Sequence, residues 1–141
     1  ALLPALRAPP PRTQSQAFTA GQSGALRRLI FKSSTAGTRK QLREAGLSSL
    51  TGGGAEIFAP IVRDELCRGK GSAAEWLEVH RVWHKMGGRS TSTMLYGHIE
   101  TSEQRVDHLR QLRQLQDEPG GFTVFIPFAF EPPTTLLPPV P

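Results

Sequence analysis

The chain has 141 residues, 38% of them hydrophobic, a single cysteine (Cys67) and a formal net charge of +5. That is material for one domain, and one cysteine excludes an intrachain disulfide framework and any site that needs several thiolates from this chain. The charge is uneven, with eight basic side chains and one acid in residues 1–47 against nine basic and eleven acidic in the rest, and the basic part reads as a solvated arm, so neither a nucleic-acid partner nor a membrane span of about 20 apolar residues is expected.

Residues 1–24 are rich in Pro, Ala, Gln, Ser and Thr and keep no period of 3.6 or 2, which reads as disorder. Residues 25–32, ALRRLIFK, suit a short helix or strand. Residues 38–45 suit a helix tail ending at Gly46. Leu47 to Leu50 is a short strand candidate, followed by a glycine turn at Gly52, Gly53 and Gly54 where backbone can approach a neighbour closely. Residues 55–68 read as loop and short helix, with Pro60 at an early helical position. Residues 72–86 form a helix: Ser72 and Glu75 have capping-box spacing, Trp76, Val79, Trp83 and Met86 share a face, and Gly87-Gly88 stops it. Residues 90–96 begin a strand without clean alternation, as a strand covered on both faces does. Residues 101–116 form a second helix with Val106, Leu109, Leu112 and Leu115 on one arc. Residues 122–126 are the third strand, and a tail with five prolines follows Glu131.

Helices of about 15 residues between short apolar strands argue for βα units and a parallel sheet. A full eight-fold barrel needs about 250 residues, so this chain supplies about three strands of eight. The expected organisation is a disordered or non-homologous arm over 1–38, a partial α/β barrel over 39–134 and a Pro-rich tail over 135–141. A partial barrel leaves sheet edges open, which invites association.

In parallel α/β folds, ligands sit at the carboxyl ends of the strands. Three clusters fall there: Thr51 to Glu56, Tyr96 to Glu100, and Pro127 with Phe128 and Phe130. The glycine run lacks the Gly-Lys-Ser/Thr of a phosphate loop and the dinucleotide fingerprint. By itself it is a tight turn. His98 and Glu100 admit three readings: a metal pair, a substrate-orienting pair, or a cap for the next helix. His80 and His84 stand four apart but lack the glutamate of a metalloprotease helix, and the flanking Trp76 and Trp83 make them a packed face. His108 has no assigned role, and Cys67 reads as a loop or small core residue.

The runs GGGAEIF (52–58), WLEVHR (76–81), TMLYGHIET (93–101), RVDHL (105–109) and LRQLQDEPGGFTVFIPFAF (112–130), in this order and spacing, resemble the aminofutalosine synthase family. These are radical S-adenosyl-L-methionine (SAM) enzymes of the futalosine route to menaquinone. The same set recurs with variations in dehypoxanthine futalosine cyclases and deazaflavin synthase subunits. EIFAP-x-VRDELC and FIPFAF favour the first group. The resemblance implies a TIM-type (β/α) barrel of the radical SAM superfamily, of which this chain is about strands four to six. It implies a cytoplasmic enzyme acting on a small molecule: SAM is cleaved at a 4Fe-4S cluster, and the 5'-deoxyadenosyl radical adds to 3-((1-carboxyvinyl)oxy)benzoate with loss of carbon dioxide.

Carried over residue by residue, the resemblance puts Gly52, Gly53, Gly54 and Glu56 near SAM and makes Arg63 a partner for its carboxylate. Thr93, Tyr96 and His98 become substrate contacts, and His98 and Glu100 the catalytic pair, with His98 donating to a substrate oxygen. Phe128 or Phe130 would form an aromatic floor, though packing is the plainer role for both. The departures are as informative. The C-x3-C-x2-C cluster loop is missing and Cys67 does not replace it, so no metal ligand is assigned and this chain alone is expected to be inactive. Arg68 stands where the family has Pro. Trp83 stands where a small Ala precedes His84, and such a ring is expected to crowd the helix–sheet contact. Ser90-Thr91-Ser92-Thr93 differs from the family's Asn-Ala version. Residues 1–38 match nothing in the family.

Overall fold

The computed structural model describes residues 47–131. The arm over 1–38, the elements expected over 25–32 and 38–45, and the tail over 135–141 lie outside the described residues. Within them the order is β1 (Ser49–Leu50), α1 (Pro60–Leu66), α2 (Ala73–Lys85), β2 (Arg89–Tyr96), α3 (Ser102–Asp117) and β3 (Phe122–Ala129). The three strands form one parallel sheet in the order β1-β2-β3, open at both edges among the described residues. This is a partial, unclosed parallel sheet with flanking helices, as the alternation of elements predicts.

The helix boundaries follow from side-chain chemistry. Ser72 accepts from the Glu75 amide while the Glu75 side chain accepts from the Ser72 amide, and Thr101 and Gln104 do the same for α3. Each box satisfies two orphan donors at a helix start. Pro60 opens α1, where its missing N–H costs nothing.

Three apolar clusters join helices to sheet. Leu47 and Leu50 meet Val79 and Trp83 of α2. Ala55 and Phe58 meet Trp76 and Leu112. Ile57, Ala59 and Val62 meet Met94 of β2. The arc expected on α3 is only half used. Leu112 and Leu115 are buried, with His108 between the helix and the sheet, while Val106 and Leu109 remain exposed. The turns that follow α2 and α3 make room for the rings of α2. A side chain at Gly88 would run into the Trp83 indole, and one at Gly121 into the His84 imidazole. Trp83 therefore lies buried without crowding the contact, and its Nε1 donates to Arg89 O at 2.7 Å. The expected clash is absent because Gly88 has no side chain.

β3 is longer than the sequence suggests. It runs through Pro127 and Phe128 to Ala129, so these residues lie in the strand and not after it. Proline is tolerated because residue 127 faces away from the ladder with β2. The Phe130 amide bonds back to Tyr96 O, which sets the even-numbered residues against β2.

Gly52 marks the closest backbone approach. A Cβ there would lie 2.6 Å from the Ser92 Cα and 2.7 Å from its carbonyl carbon. Its amide donates to Thr91 Oγ1 at 2.8 Å, and its carbonyl accepts from Thr93 Oγ1 at 2.7 Å. Backbone cannot swing aside as a flexible side chain can. Gly52→Ala is therefore expected to lower stability by about 2 kcal/mol or more, measured by urea unfolding. An unchanged midpoint would mean that the two strands do not touch here.

Candidate functional site

The parallel register brings the three strand ends together. The Leu95 amide donates to Glu56 O at 2.8 Å, tying the first loop to the end of β2, and the Phe130 amide donates to Tyr96 O at 2.8 Å, tying in β3. The Phe130 ring stands edge-on to His98 at 6.2 Å. In the first loop Gly54 and Glu56 have positive φ, 90° and 41°. Glycine takes that conformation freely, whereas glutamate does so at a cost. Glu56 Oε1 is held by Lys70 Nζ at 2.6 Å, and its carboxylate stays partly exposed.

The second loop is knotted around one carboxylate. Glu100 Oε1 accepts from the Gly97 amide at 2.7 Å and Arg105 Nε at 2.6 Å. Its Oε2 accepts from the His98 amide at 2.9 Å and lies 2.7 Å from His98 Nδ1. Burial pushes the Glu100 carboxyl up, but the Gly97, Glu100 and His98 amides and the Arg105 guanidinium outweigh it and hold the group below the usual range. His98 Nε2 faces Leu95 O at 2.9 Å, an acceptor, so that nitrogen carries a hydrogen. Its Nδ1 also lies 2.8 Å from the Ile99 amide. Both ring nitrogens of His98 are thus engaged inside the loop, and neither His98 nor the Glu100 side chain has surface open to solvent. Tyr96 is half-buried beneath the Arg105 guanidinium, 5.7 Å from the ring centroid. Arg105, which the sequence reading left out, is the residue that joins the Tyr96 ring to Glu100. It stands in the first turn of a capped helix, five residues after Glu100, but the burial of that acid is visible only in the structure.

This arrangement makes a test. Glu100→Gln keeps the volume but turns one oxygen towards donors as an amide N–H2. A stability loss of about 2 kcal/mol is expected, with Gly97 and His98 amides exchanging faster. Unchanged stability and exchange would free the pair from this structural role.

Arg63 is placed differently from its expected role. It is buried, and its two Nη atoms donate to the carbonyls of Ala55 (2.6 Å), Ile57 (3.2 Å), Gly54 (3.2 Å) and Gly71 (2.5 Å). The guanidinium clasps the first loop to the start of α2 and leaves no Nη hydrogen for an incoming carboxylate. The larger of the two hollows described, about 560 Å³, lies to the side of the strand ends, between Phe58, Cys67, Arg68, Lys70 and Leu77. Of the expected set, Arg63 alone borders it. Cys67 is buried at its wall, and burial raises the thiol.

Behind the strand ends lies a polar seam. Ser90 Oγ sits 2.9 Å from His80 Nδ1 and 2.7 Å from His84 Nε2, and all three residues are buried. Burial lowers His80 to about 3, helped by His84, and lowers His84 to about 4, helped by Arg89. His108 stacks on Phe58 at 4.0 Å and bonds Thr93 O through Nε2 at 3.0 Å. Burial lowers it to about 4 against the opposing pull of that bond. These three imidazoles are structural. Thr93, expected at the substrate, uses its hydroxyl on Gly52 and its carbonyl on His108. Among the described residues no group of three or more His, Cys, Asp or Glu is placed to hold a metal ion, and no helix is long and apolar enough to cross a membrane.

No family model matches the chain. It is homologous to one segment of several curated proteins. It is 59% identical over 93 residues to the aminodeoxyfutalosine synthase of Thermus thermophilus, a match covering 66% of this chain and 25% of that protein. It is 44% identical over 126 residues to the aminodeoxyfutalosine synthase of Streptomyces coelicolor, covering 89% of this chain and 32% of the relative. That match is longer than the described span, so it reaches back into the segment before Leu47. The 5-amino-6-(D-ribitylamino)uracil–L-tyrosine 4-hydroxyphenyl transferase of Methanopyrus kandleri is 45% identical over 91 residues, covering 64% of this chain and 25% of the relative. The chain thus spans a quarter to a third of the length of these relatives.

Proposed function

From that homology we propose that the chain is the middle-to-late wall of an aminodeoxyfutalosine synthase-type radical SAM barrel. The whole enzyme would join the 5'-deoxyadenosyl group of SAM to 3-((1-carboxyvinyl)oxy)benzoate, with loss of carbon dioxide, in the cytoplasmic route to menaquinone. The observation that carries the reading is the 59% identity over 93 residues.

The residues do not fit a 4Fe-4S cluster. One cysteine cannot supply the three thiolates that a cluster loop needs, so no step of the chemistry is assigned to a cluster on this chain. When bound in a whole enzyme, that group supplies the electron that cleaves SAM. What this chain offers is a wall: the backbone of Gly53 and Gly54, the partly exposed carboxylate of Glu56, and the Tyr96–Arg105 surface above the His98–Glu100 knot. Arg63, His98 and Glu100 would act as positioning residues, fixing the two loops whose surfaces SAM and substrate meet. Thr93 would act in the same way, through Gly52.

A second reading is that of the tyrosine 4-hydroxyphenyl transferases, one of which is 45% identical to this chain over 91 residues. A chimera separates the two. Residues 52–130 replace the matching segment of the Thermus thermophilus relative, and the protein is reconstituted anaerobically with iron and sulfide. The expected result is aminodeoxyfutalosine from the benzoate substrate and no product from tyrosine with the ribitylaminouracil. A chimera that cleaves SAM but makes only the tyrosine-derived product sinks the first reading in favour of the second.

A further inference from the structure

Arg63, spent on four backbone carbonyls, leaves the strand ends without the carboxylate partner expected of it. Arg105 is placed to supply one. It lies in the first turn of α3, directly after the loop that closes β2, on the side of the sheet where parallel α/β folds hold their ligands. Neighbouring cations are committed or distant. Lys70 is taken by Glu56, Arg81 spends Nε and Nη1 on Glu118 and Glu78, and Arg113 pairs with Asp117 at the far end of α3.

The Arg105 guanidinium is held on two sides and open on a third. Its Nε donates to Glu100 Oε1 at 2.6 Å. Its central carbon lies 5.7 Å from the centroid of the Tyr96 ring. Among the described residues neither Nη atom meets an acceptor, and the side chain is 35% exposed. All the Nη hydrogens therefore remain for a ligand.

A planar fork of this kind takes a carboxylate end-on through both Nη atoms, while its Nε stays with Glu100. Glu100 and Tyr96 already fix the fork, so it loses little freedom when a ligand arrives. Glu100 does not use up its charge either. That carboxylate is buried and is met by the Gly97 and His98 amides as well as by Arg105.

We propose that Arg105 receives a carboxylate of the substrate on its two Nη atoms, with Glu100 and Tyr96 holding the guanidinium in place. The identity of that substrate, a benzoate derivative, rests on the radical SAM reading above. The carboxylate chemistry rests on the geometry of Arg105 alone.

Benzoate is the probe, with benzamide as its neutral counterpart. Titrated into the full 141-residue chain, benzoate is expected to shift the Arg105 Nε–H signal in NMR spectra and to saturate it in the millimolar range. Benzamide should act about tenfold more weakly, because it offers no charge-assisted pair. Arg110, more exposed on the same helix, is the internal control and is expected not to saturate. Arg105→Lys keeps the charge without the fork, and its affinity for benzoate should fall about tenfold. Should that variant be unfolded, the contrast between Arg105 and Arg110 in the unsubstituted chain decides. In the chimera described above, the same substitution should raise KM for the benzoate substrate about tenfold and leave KM for SAM unchanged, a split that a merely structural role would not give. A chimera without product, on a chain that binds benzoate at Arg105, would fail the radical SAM reading and leave the carboxylate site standing. No saturable shift at Arg105, equal responses at Arg105 and Arg110, or benzamide matching benzoate overturns the proposal. So does a working chimera whose KM for the benzoate substrate holds in Arg105→Lys, or moves together with that for SAM.

Discussion

Arg63→Ala is expected to lower the unfolding free energy by about 3 kcal/mol or more. The buried guanidinium makes four hydrogen bonds to the carbonyls of Gly54, Ala55, Ile57 and Gly71. Truncation leaves those acceptors without their donor and opens a gap beside the hollow at Cys67. Arg63→Lys keeps a charge but offers one ammonium in place of a planar fork, so it recovers only part of the loss. Urea unfolding checks both. The glycine loop should also exchange its amides faster in each variant. A stable Arg63→Ala chain with an unaltered loop would return Arg63 to the role first expected of it, as a partner for an incoming carboxylate.

Acid is expected to destabilise the fold well above the pH at which most carboxylates titrate. His80, His84 and His108 titrate near 3, 4 and 4 when folded, against an ordinary value of 6.5. Between those limits the unfolded chain binds more protons than the folded one, so stability falls as pH falls. The contribution of these groups is complete above about pH 7, starts to fade below 6.5, and is fully lost only below the folded values. His84 and His108 each account for a loss on the order of 2–3 kcal/mol by pH 4. Glu100 adds to the loss lower down, because its folded carboxyl lies below its usual range. Trp76, whose ring is tilted against that of His80 at 3.9 Å between centroids, reports the change by fluorescence. The thermal midpoint should fall steadily from pH 7 to pH 5, and less steeply in His84→Gln. A midpoint flat over that interval would mean that the seam is open to water.

The fold was largely legible because its signals are local. Ser72 with Glu75 announced the start of α2, and Thr101 preceded the other capped helix. The glycines after α2 marked its end. The length of β3 was not legible, because proline argues against a strand unless the open side of that strand is known. The fate of Trp83 was also hidden: the missing side chain at Gly88 that admits the indole lies five residues on, across a turn.

At the strand ends, sequence order was enough to bring residues 52–56, 96–100 and 130 together. It could not say which side chains had surface left over. His98 and Glu100 look reactive in a sequence, yet both ring nitrogens of His98 are engaged within the loop and the Glu100 carboxylate accepts from the Gly97 and His98 amides and from Arg105. Arg63 looks like a free cation, yet four carbonyls converge on it. Those carbonyls belong to backbone, which carries no letter of its own in the sequence. Arg105 was missed for the converse reason. On a helix rich in arginine and glutamine, nothing set it apart until Glu100 was seen to be buried beside it.

We propose that this chain forms part of the wall of a radical SAM site and brings no cluster of its own. Iron and acid-labile sulfide measured on the purified 141-residue chain after anaerobic reconstitution test it directly. Background iron and sulfide are expected, with no charge-transfer absorption in the visible range. A bound cluster of four irons and four sulfides per chain, retained through gel filtration, would contradict it.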